Sequence, residues 1–213
     1  MSLEVVRLIV GPLQTNCYLA FEGAKTGVVC FDPGANEAKV LGRMYGLGLK
    51  LEAIFLTHWH PDHIGAAGEL RAETGAPIYI GSADAAMLER TSDPFGLLAD
   101  RPNGFRSADV RLDDADERTV AGIRIRTIAT PGHTSGGVSY FLPDHGVLFS
   151  GDTLFFGSVG RTDLAGGNAG ALKESILGKI FTMGDEVKVY PGHGPETAVG
   201  KEKARVTALL NSI

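Results

Sequence analysis

The sequence predicts an α/β protein of two similar halves, sheet packed against sheet with helices outside. Three observations point there. Strand-type runs precede helix-type spacing, and this order occurs twice along the chain. The 213 residues are 44% hydrophobic and 21% charged, a globular composition with enough apolar mass for a substantial core. Four groups of histidine and aspartate each follow directly on a strand-type run, where layered α/β proteins gather functional turns.

The first half opens with apolar runs at Leu3–Val10 and Asn16–Phe21, then Val28–Phe31, closed by the turn Asp32-Pro33-Gly34. Ala35 to Leu47 has helical spacing at Val40, Leu41 and Met44 and is ended by Gly46 and Gly48. Leu51–Leu56 is near-continuously apolar, as expected of a strand covered on both faces. A helix over Ile64–Glu73, a strand at Ile78–Ile80 and a helix from about Ser82 to Arg90 follow. Between Thr91 and Glu117 the pattern lapses: Pro94, Gly96, Pro102 and Gly104 interrupt it, and Asp109 to Glu117 is acidic. That segment reads equally as a lid or binding loop and as a solvated insertion. The second half has strands at Arg118–Val120, Ile123–Ala129, Gly137–Leu142 and Val147–Phe149, a helix over Ala169–Phe181, a strand at Val187–Tyr190 and a closing helix over Val199–Leu210. No stretch reads as a linker, so residues 1–213 are expected to form a single domain.

A net charge of −5 and a pI near 5.7 offer no basic face to nucleic acid or to an anionic membrane, and a small-molecule partner is expected instead. The apolar runs are too short and interrupted to span a bilayer. The opening MSLEVVRLIVGPL carries Glu4 and no basic stretch ahead of its apolar residues. It reads as a first strand, not a signal peptide, and a cytoplasmic location is expected. Cys17 and Cys30 sit in apolar runs and are expected to be buried, reduced thiols.

Chemistry concentrates in Thr57-His58-Trp59-His60-Pro61-Asp62-His63, which holds three of the six histidines. In extended backbone, residues two apart face the same side, so His58 and His60 can grip one cation. Pro61 biases His60 toward that extended conformation. Asp62 and His63 then fall at the start of a helix, where they can face a second ion. Elsewhere His133 follows Ile123–Ala129, Asp152 follows Val147–Phe149 and His193 follows Val187–Tyr190, each in a glycine-containing turn. Alone, each would read as a turn residue or a helix cap. With the triple-histidine string they read as a convergent metal set. His145, in Pro143-Asp144-His145-Gly146 between two strands, reads as a hairpin tip and is left out. Thr57, Ser135 and Thr153 read as supporting or turn hydroxyls, not nucleophiles, and no serine has the Gly-x-Ser-x-Gly context of a nucleophile elbow.

THWHPDH at 57–63, PGH at 131–133, GD at 151–152 and PGH at 191–193, in this order, resemble the metallo-β-lactamase superfamily, and especially its glyoxalase II-like branch. The resemblance runs from GPLQTNCYL at Gly11–Leu19 to PGHGP at Pro191–Pro195 and includes GDTLFFGSVGRTD at 151–163, which in relatives borders the substrate pocket. It implies a four-layer αββα sandwich with the metal site at one edge of the sheets. It also implies one ion on His58, His60 and His133, another on Asp62, His63 and His193, and Asp152 bridging. Two departures stand out: the family's lysine in GCGK is Arg161 here, and its tyrosine after the last histidine is replaced by Gly194-Pro195. With no counterpart of the C-terminal helical domain in the sequence, the resemblance is to compact members.

The expected chemistry is hydrolysis of a thioester such as an S-2-hydroxyacylglutathione. Two divalent ions, zinc first and iron or manganese next, would sit about 3.5–4 Å apart and ionise a shared water for attack on the carbonyl. Asp62 would act as metal ligand and proton acceptor. A thiolate leaving group, from a thiol of pKa about 8.5, hardly needs a general acid. Arg161 reads equally as a binder of a substrate carboxylate and as a structural arginine in a glycine-rich turn. The rival chemistry is persulfide oxygenation with one iron on two histidines and a carboxylate. Cleavage of another ester, lactone or lactam is the wider alternative. Structural zinc fits less well, since such sites favour four cysteine-rich ligands and neither cysteine lies near the histidines in sequence.

Overall fold

The computed structural model describes residues 2–23, 25–88 and 107–211. The first sheet orders its strands as in the sequence: β1 (Leu3–Val10), β2 (Thr15–Glu22), β3 (Gly27–Phe31), β4 (Lys50–Leu56), β5 (Ile78–Gly81) and β6 (Val110–Leu112). Its first three strands pair antiparallel, and β3 to β6 run parallel. The connections carry α1 (Glu37–Gly46) before β4, α2 (Pro61–Ile64) and α3 (Ala67–Thr74) before β5, and α4 (Ser82–Leu88) after it. The second sheet is built from β7 (Glu117–Val120), β8 (Ile123–Ala129), β9 (Val138–Leu142), β10 (Val147–Gly151), β13 (Lys188–Pro191) and β14 (Thr197–Ala198), in the order β14-β13-β10-β9-β8-β7. A small hairpin, β11 (Leu154–Phe155) with β12 (Ser158–Val159), precedes α5 (Ala169–Gly178), and α6 (Val199–Leu210) follows β14.

Strand alternation sorts the side chains into three cores. In β2, β3 and β4, Cys17, Leu19, Cys30, Ile54 and Leu56 pack toward Val40 and Met44 of α1 and Leu70 of α3. Their alternates Tyr18, Val29, Phe31 and Phe55 meet Ile123, Tyr140, Phe149 and Tyr190 of the second sheet. On the far side of that sheet, Leu148 and Val189 pack against Leu172 and Ile176 of α5 and Val206 and Leu210 of α6. The result is helices, sheet, sheet, helices: the αββα sandwich. Phe31 of the first sheet stacks on Phe149 of the second, ring centroids 4.0 Å apart and 12° from parallel.

Two tyrosines pin the sheets together at the end where the chemistry gathers. Tyr140 of β9 donates to the Leu56 carbonyl at 2.7 Å, and Tyr18 of β2 to the Pro191 carbonyl at 2.8 Å. Each carries a ring into the inter-sheet core and a hydroxyl to a carbonyl at a strand terminus; that of Pro191 also accepts from Asn16 Nδ2 at 2.9 Å.

Several expectations need correction. The helix read over Ile64–Glu73 is two helices, α2 and α3, with Gly65 and Ala66 between them. A Cβ on Gly65 would lie 2.2 Å from the Gly34 carbonyl oxygen, so the chain there packs against the Asp32–Gly34 turn. Within the span where the pattern lapses, Val110–Leu112 forms β6 at the sheet edge; residues 91–106, and Glu89 and Arg90 of the expected fourth helix, lie outside the described residues. β11, β12 and β14, two residues each, were not expected. Cys17 and Cys30 are buried thiols with their sulfurs 3.6 Å apart. No helix among the described residues is long and apolar enough to cross a membrane.

Candidate metal centre

All seven residues singled out in the sequence meet at one edge of the sandwich. β3 ends at Asp32, β4 leads into Thr57–His63, β8 into His133, β10 into Asp152 and β13 into His193. The strands within each sheet that feed the site are parallel neighbours in two cases, β3 with β4 and β10 with β13, which sets their exits side by side. His60 is extended (φ −61°, ψ 143°) ahead of Pro61, the first residue of α2, so Asp62 and His63 lie in the first helical turn.

The donors form two triads. His58 Nε2 lies 3.1 Å and His133 Nε2 2.9 Å from His60 Nδ1. Asp62 Oδ2 lies 3.5 Å from His63 Nε2 and 3.3 Å from His193 Nε2. Asp152 stands between them: Oδ1 is 3.3 Å from His63 Nε2, and Oδ2 is 3.5 Å from His133 Nε2 and 3.6 Å from His193 Nε2. Within the groups His58–His60–His133, His58–His63–Asp152 and Asp62–His63–His193, the donor atoms all lie within 4.8 Å of one another.

Hydrogen bonds around the triads fix which nitrogen of a neutral ring keeps its lone pair. Asp32, a carboxylate, only accepts: from Thr57 N and Thr57 Oγ1, each at 2.8 Å, and from His63 Nδ1 at 3.0 Å. Thr57 Oγ1 thus spends its proton on Asp32 and can only accept from His58 Nδ1, 3.0 Å away. His133 Nδ1 donates to the Arg161 carbonyl at 2.8 Å. Nε2 of His58, His63 and His133 is therefore the lone-pair nitrogen in each neutral ring, aimed into the centre, as cation-binding imidazoles require.

The residues fit a pair of cations by a second observation. His63 Nε2 and Asp152 Oδ1 are buried and make no hydrogen bond with good geometry. Such atoms are expensive to strand away from water, and a cation between them would satisfy both. Gly192 keeps the space open: a Cβ there would lie 2.2 Å from Asp152 Oδ1 and 2.6 Å from His63 Cε1.

Electrostatics separate the triads. Burial, reinforced by neighbouring imidazoles, pushes His58 well below the usual histidine range and His60 down to about 4. Burial acts the same way on His63 and His193, but Asp152, Asp62 and, for His63, Asp32 outweigh it and hold both rings up. Burial would raise Asp62 and Asp152, yet the adjacent His63 and His193 overcome it and keep both carboxyls low. Thr15 Oγ1 also donates to Asp62 Oδ2 at 2.8 Å.

A cleft of about 400 Å³ opens over the cluster, floored by His60, Asp62, His133, Asp152 and His193 and walled by Leu13, Phe155, Val159 and Leu164. Arg161 also lines it; its guanidinium makes a two-pronged bond to Asp163, both contacts 2.7 Å. His145 lies on the turn between β9 and β10, its backbone N–H bonded to the Leu142 carbonyl. Thr57 supports His58, and Thr153 donates to Thr130. Asp32, which the sequence marks only as a turn residue, and Thr15 and Asp84 lie outside the seven residues that the sequence singles out. The sequence carries one signal for Asp32, an acid capping a fully apolar strand in Asp-Pro-Gly; the structure holds it at φ 49°.

Residues 10–195 match the family described as Metallo-beta-lactamase superfamily. The chain is 37% identical to "Probable metallo-hydrolase YqgX" of Bacillus subtilis, over 92% of this chain and 93% of that one. It is 32% identical to "Hydroxyacylglutathione hydrolase GloC" of Haemophilus influenzae, over 100% and 99%. Among solved structures it resembles BLEG-1 B3 metallo-beta-lactamase (TM-score 0.86, 36% identity, 94% and 97% covered). It also resembles ETHE1 from Myxococcus xanthus (0.79, 33%, 95% and 82%) and TTHA1623 in a di-iron-bound form (0.79, 35%, 94% and 98%). With an αββα sandwich and a His/Asp cluster compatible with two metal ions at its edge, the chain belongs to the metallo-β-lactamase superfamily.

Proposed function

We propose that this protein is a metal-dependent thioester hydrolase acting on S-2-hydroxyacylglutathione-type substrates. The observation that carries the reading is the pair of donor triads sharing Asp152 beneath an open cleft. One cation would be held by His58, His60 and His133, the other by Asp62, His63 and His193, with Asp152 between them. Bound there, such a pair supplies a nucleophile from water at neutral pH and charge to stabilise the carbonyl oxygen as it becomes anionic.

The chain's own residues do the rest. Asp32, Thr57 and the Arg161 carbonyl hold imidazole lone pairs toward the centre. Asp62, kept ionised, faces the cleft and can take a proton from the attacking water. Leu13, Phe155, Val159 and Leu164 shield the scissile bond from bulk water. Arg161, at the cleft, exchanges Asp163 for a substrate carboxylate. A thiolate leaves without a general acid, which suits a floor whose ionisable groups are already committed. Similarity to GloC supports the substrate class.

The test is turnover of S-lactoylglutathione by protein reconstituted with zinc, iron or manganese; no rate above free metal sinks the thioester reading. A second reading, iron-dependent persulfide oxygenation, draws on the likeness to ETHE1. One iron per chain with oxygen uptake on glutathione persulfide would favour it over hydrolysis.

A further inference from the structure

The loops that carry the first triad leave different sheets: Thr57–His63 follows β4, and Thr130–Gly137 follows β8. Tyr140 to Leu56 and Val138 N to the Thr57 carbonyl tie the strand ends, but both lie on the strand side of the imidazoles. Beyond them, one side chain from a third element spans the two loops. Asp84 of α4 is fully buried. Its Oδ2 accepts from Thr134 Oγ1 and its Oδ1 from Gly136 N, each at 2.7 Å, and it takes a further bond from the Trp59 backbone N–H. Thr134 adjoins His133, and Trp59 stands between His58 and His60. Gly136 admits this approach, since a Cβ there would lie 2.2 Å from Asp84 N and 2.5 Å from Asp84 Oδ1. Its helix neighbours Ala85 and Leu88 are apolar and buried, so a carboxylate is an expensive choice at this place unless its bonds serve a purpose.

We propose that Asp84 is a positioning residue that fixes His133 against His58 and His60 and thereby sets the cation affinity of that triad alone. The inference rests on the metal reading of the site. The second triad has its own braces, Thr15 on Asp62 and Asp32 on His63, and Asp84 touches neither. Loss of such an outer-shell partner weakens metal binding by roughly ten- to a hundredfold.

The experiment titrates metal-free full-length protein with Zn²⁺ against a chromophoric chelator and repeats it with Co²⁺, whose visible spectrum separates a site with three imidazoles from one with two imidazoles and Asp62, Asp152 being common to both. Wild type is expected to bind two ions. Asp84→Ala should keep the Asp62-containing site and lose roughly ten- to a hundredfold at the three-histidine site. Asp84→Asn should recover much of the loss, because its carbonyl can accept from Gly136 N while its amide donates to the Thr134 hydroxyl. Thr134→Val, which removes one hydroxyl and keeps the shape, should reproduce part of the loss and decides the matter should Asp84→Ala not fold. Equal weakening of both sites, or of neither, overturns the proposal while leaving the metal reading intact. Failure of the wild type to bind either ion overturns both.

Discussion

The two triads sit within one cluster, yet their acid–base characters are opposite. His58, His60 and His133 contain no carboxylate, and burial plus mutual repulsion drives His58 and His60 toward the neutral form. Asp62, His63 and His193 mix acid with base, and the carboxylates hold His63 and His193 toward the charged form. The first is a set of lone pairs waiting for a cation. The second is biased toward holding protons on His63 and His193, which a metal must displace. The same fields that favour a proton favour a metal ion, so the contrast concerns pH and order of loading rather than capacity.

The largest expected effect comes from the residue the triads share. Asp152→Ala should leave the cluster unable to retain two ions and lower kcat/KM for a thioester by on the order of 10³-fold, since a Lewis-acid contribution of several kcal/mol is lost. Elemental analysis beside steady-state rates checks this; two retained ions would break the idea of a common bridge.

Metal affinity against pH tests the contrast directly. Cations must displace the protons that the carboxylates favour on His63 and His193, so affinity at the second triad should rise with pH, by up to about tenfold per pH unit for each proton displaced. His58 and His60, held toward the neutral form, should add little to the pH dependence of binding at the first triad. Parallel slopes for both sites would erase the distinction.

Asp84 gives a stability signature of the first triad's brace. Burial, opposed in part by bonds from Thr134, Gly136 and Trp59, pushes its carboxyl up from 3.8 to about 6. Between those values the folded protein holds a proton that the unfolded chain has released. The contribution to stability is therefore complete below pH 4 and is lost as pH rises through 6. Relative to Asp84→Asn, the wild type should lose about 3 kcal/mol between pH 4 and 7 in urea unfolding. Thr15→Val should be the mirror image of the Asp84 variants: roughly tenfold weaker binding at the carboxylate-containing triad only, read by cobalt spectra. The smallest effect belongs to Arg161→Ala. It should raise KM for a carboxylate-bearing thioester about fivefold, of the order of one charge-assisted hydrogen bond, with metal content unchanged.

Much of this was legible before folding. Long strands with alternating or continuous apolar residues, and helices spaced like Val40–Met44, announce themselves because each is a local pattern repeated over several turns or pleats. β6, β11, β12 and β14 are two or three residues long, too short to show a period, and exist because a neighbouring strand offers a free edge. The break between α2 and α3 likewise answers to the close passage of Gly34 and Gly65, a contact between distant segments.

For the site, residue types and strand-exit positions pointed to all seven residues that the structure brings together, since histidines and aspartates clustered in tight turns are chemically conspicuous wherever they fall. The sequence could not reveal Asp32 deciding the tautomers of His58 and His63, or Asp84 spanning two loops. Nor could it reveal that burial holds His58 and His60 toward the neutral form while carboxylates hold His63 and His193 toward the charged one. Those properties depend on burial and on distances of about 3 Å between segments far apart in the chain, and only the packing of two sheets against each other sets them.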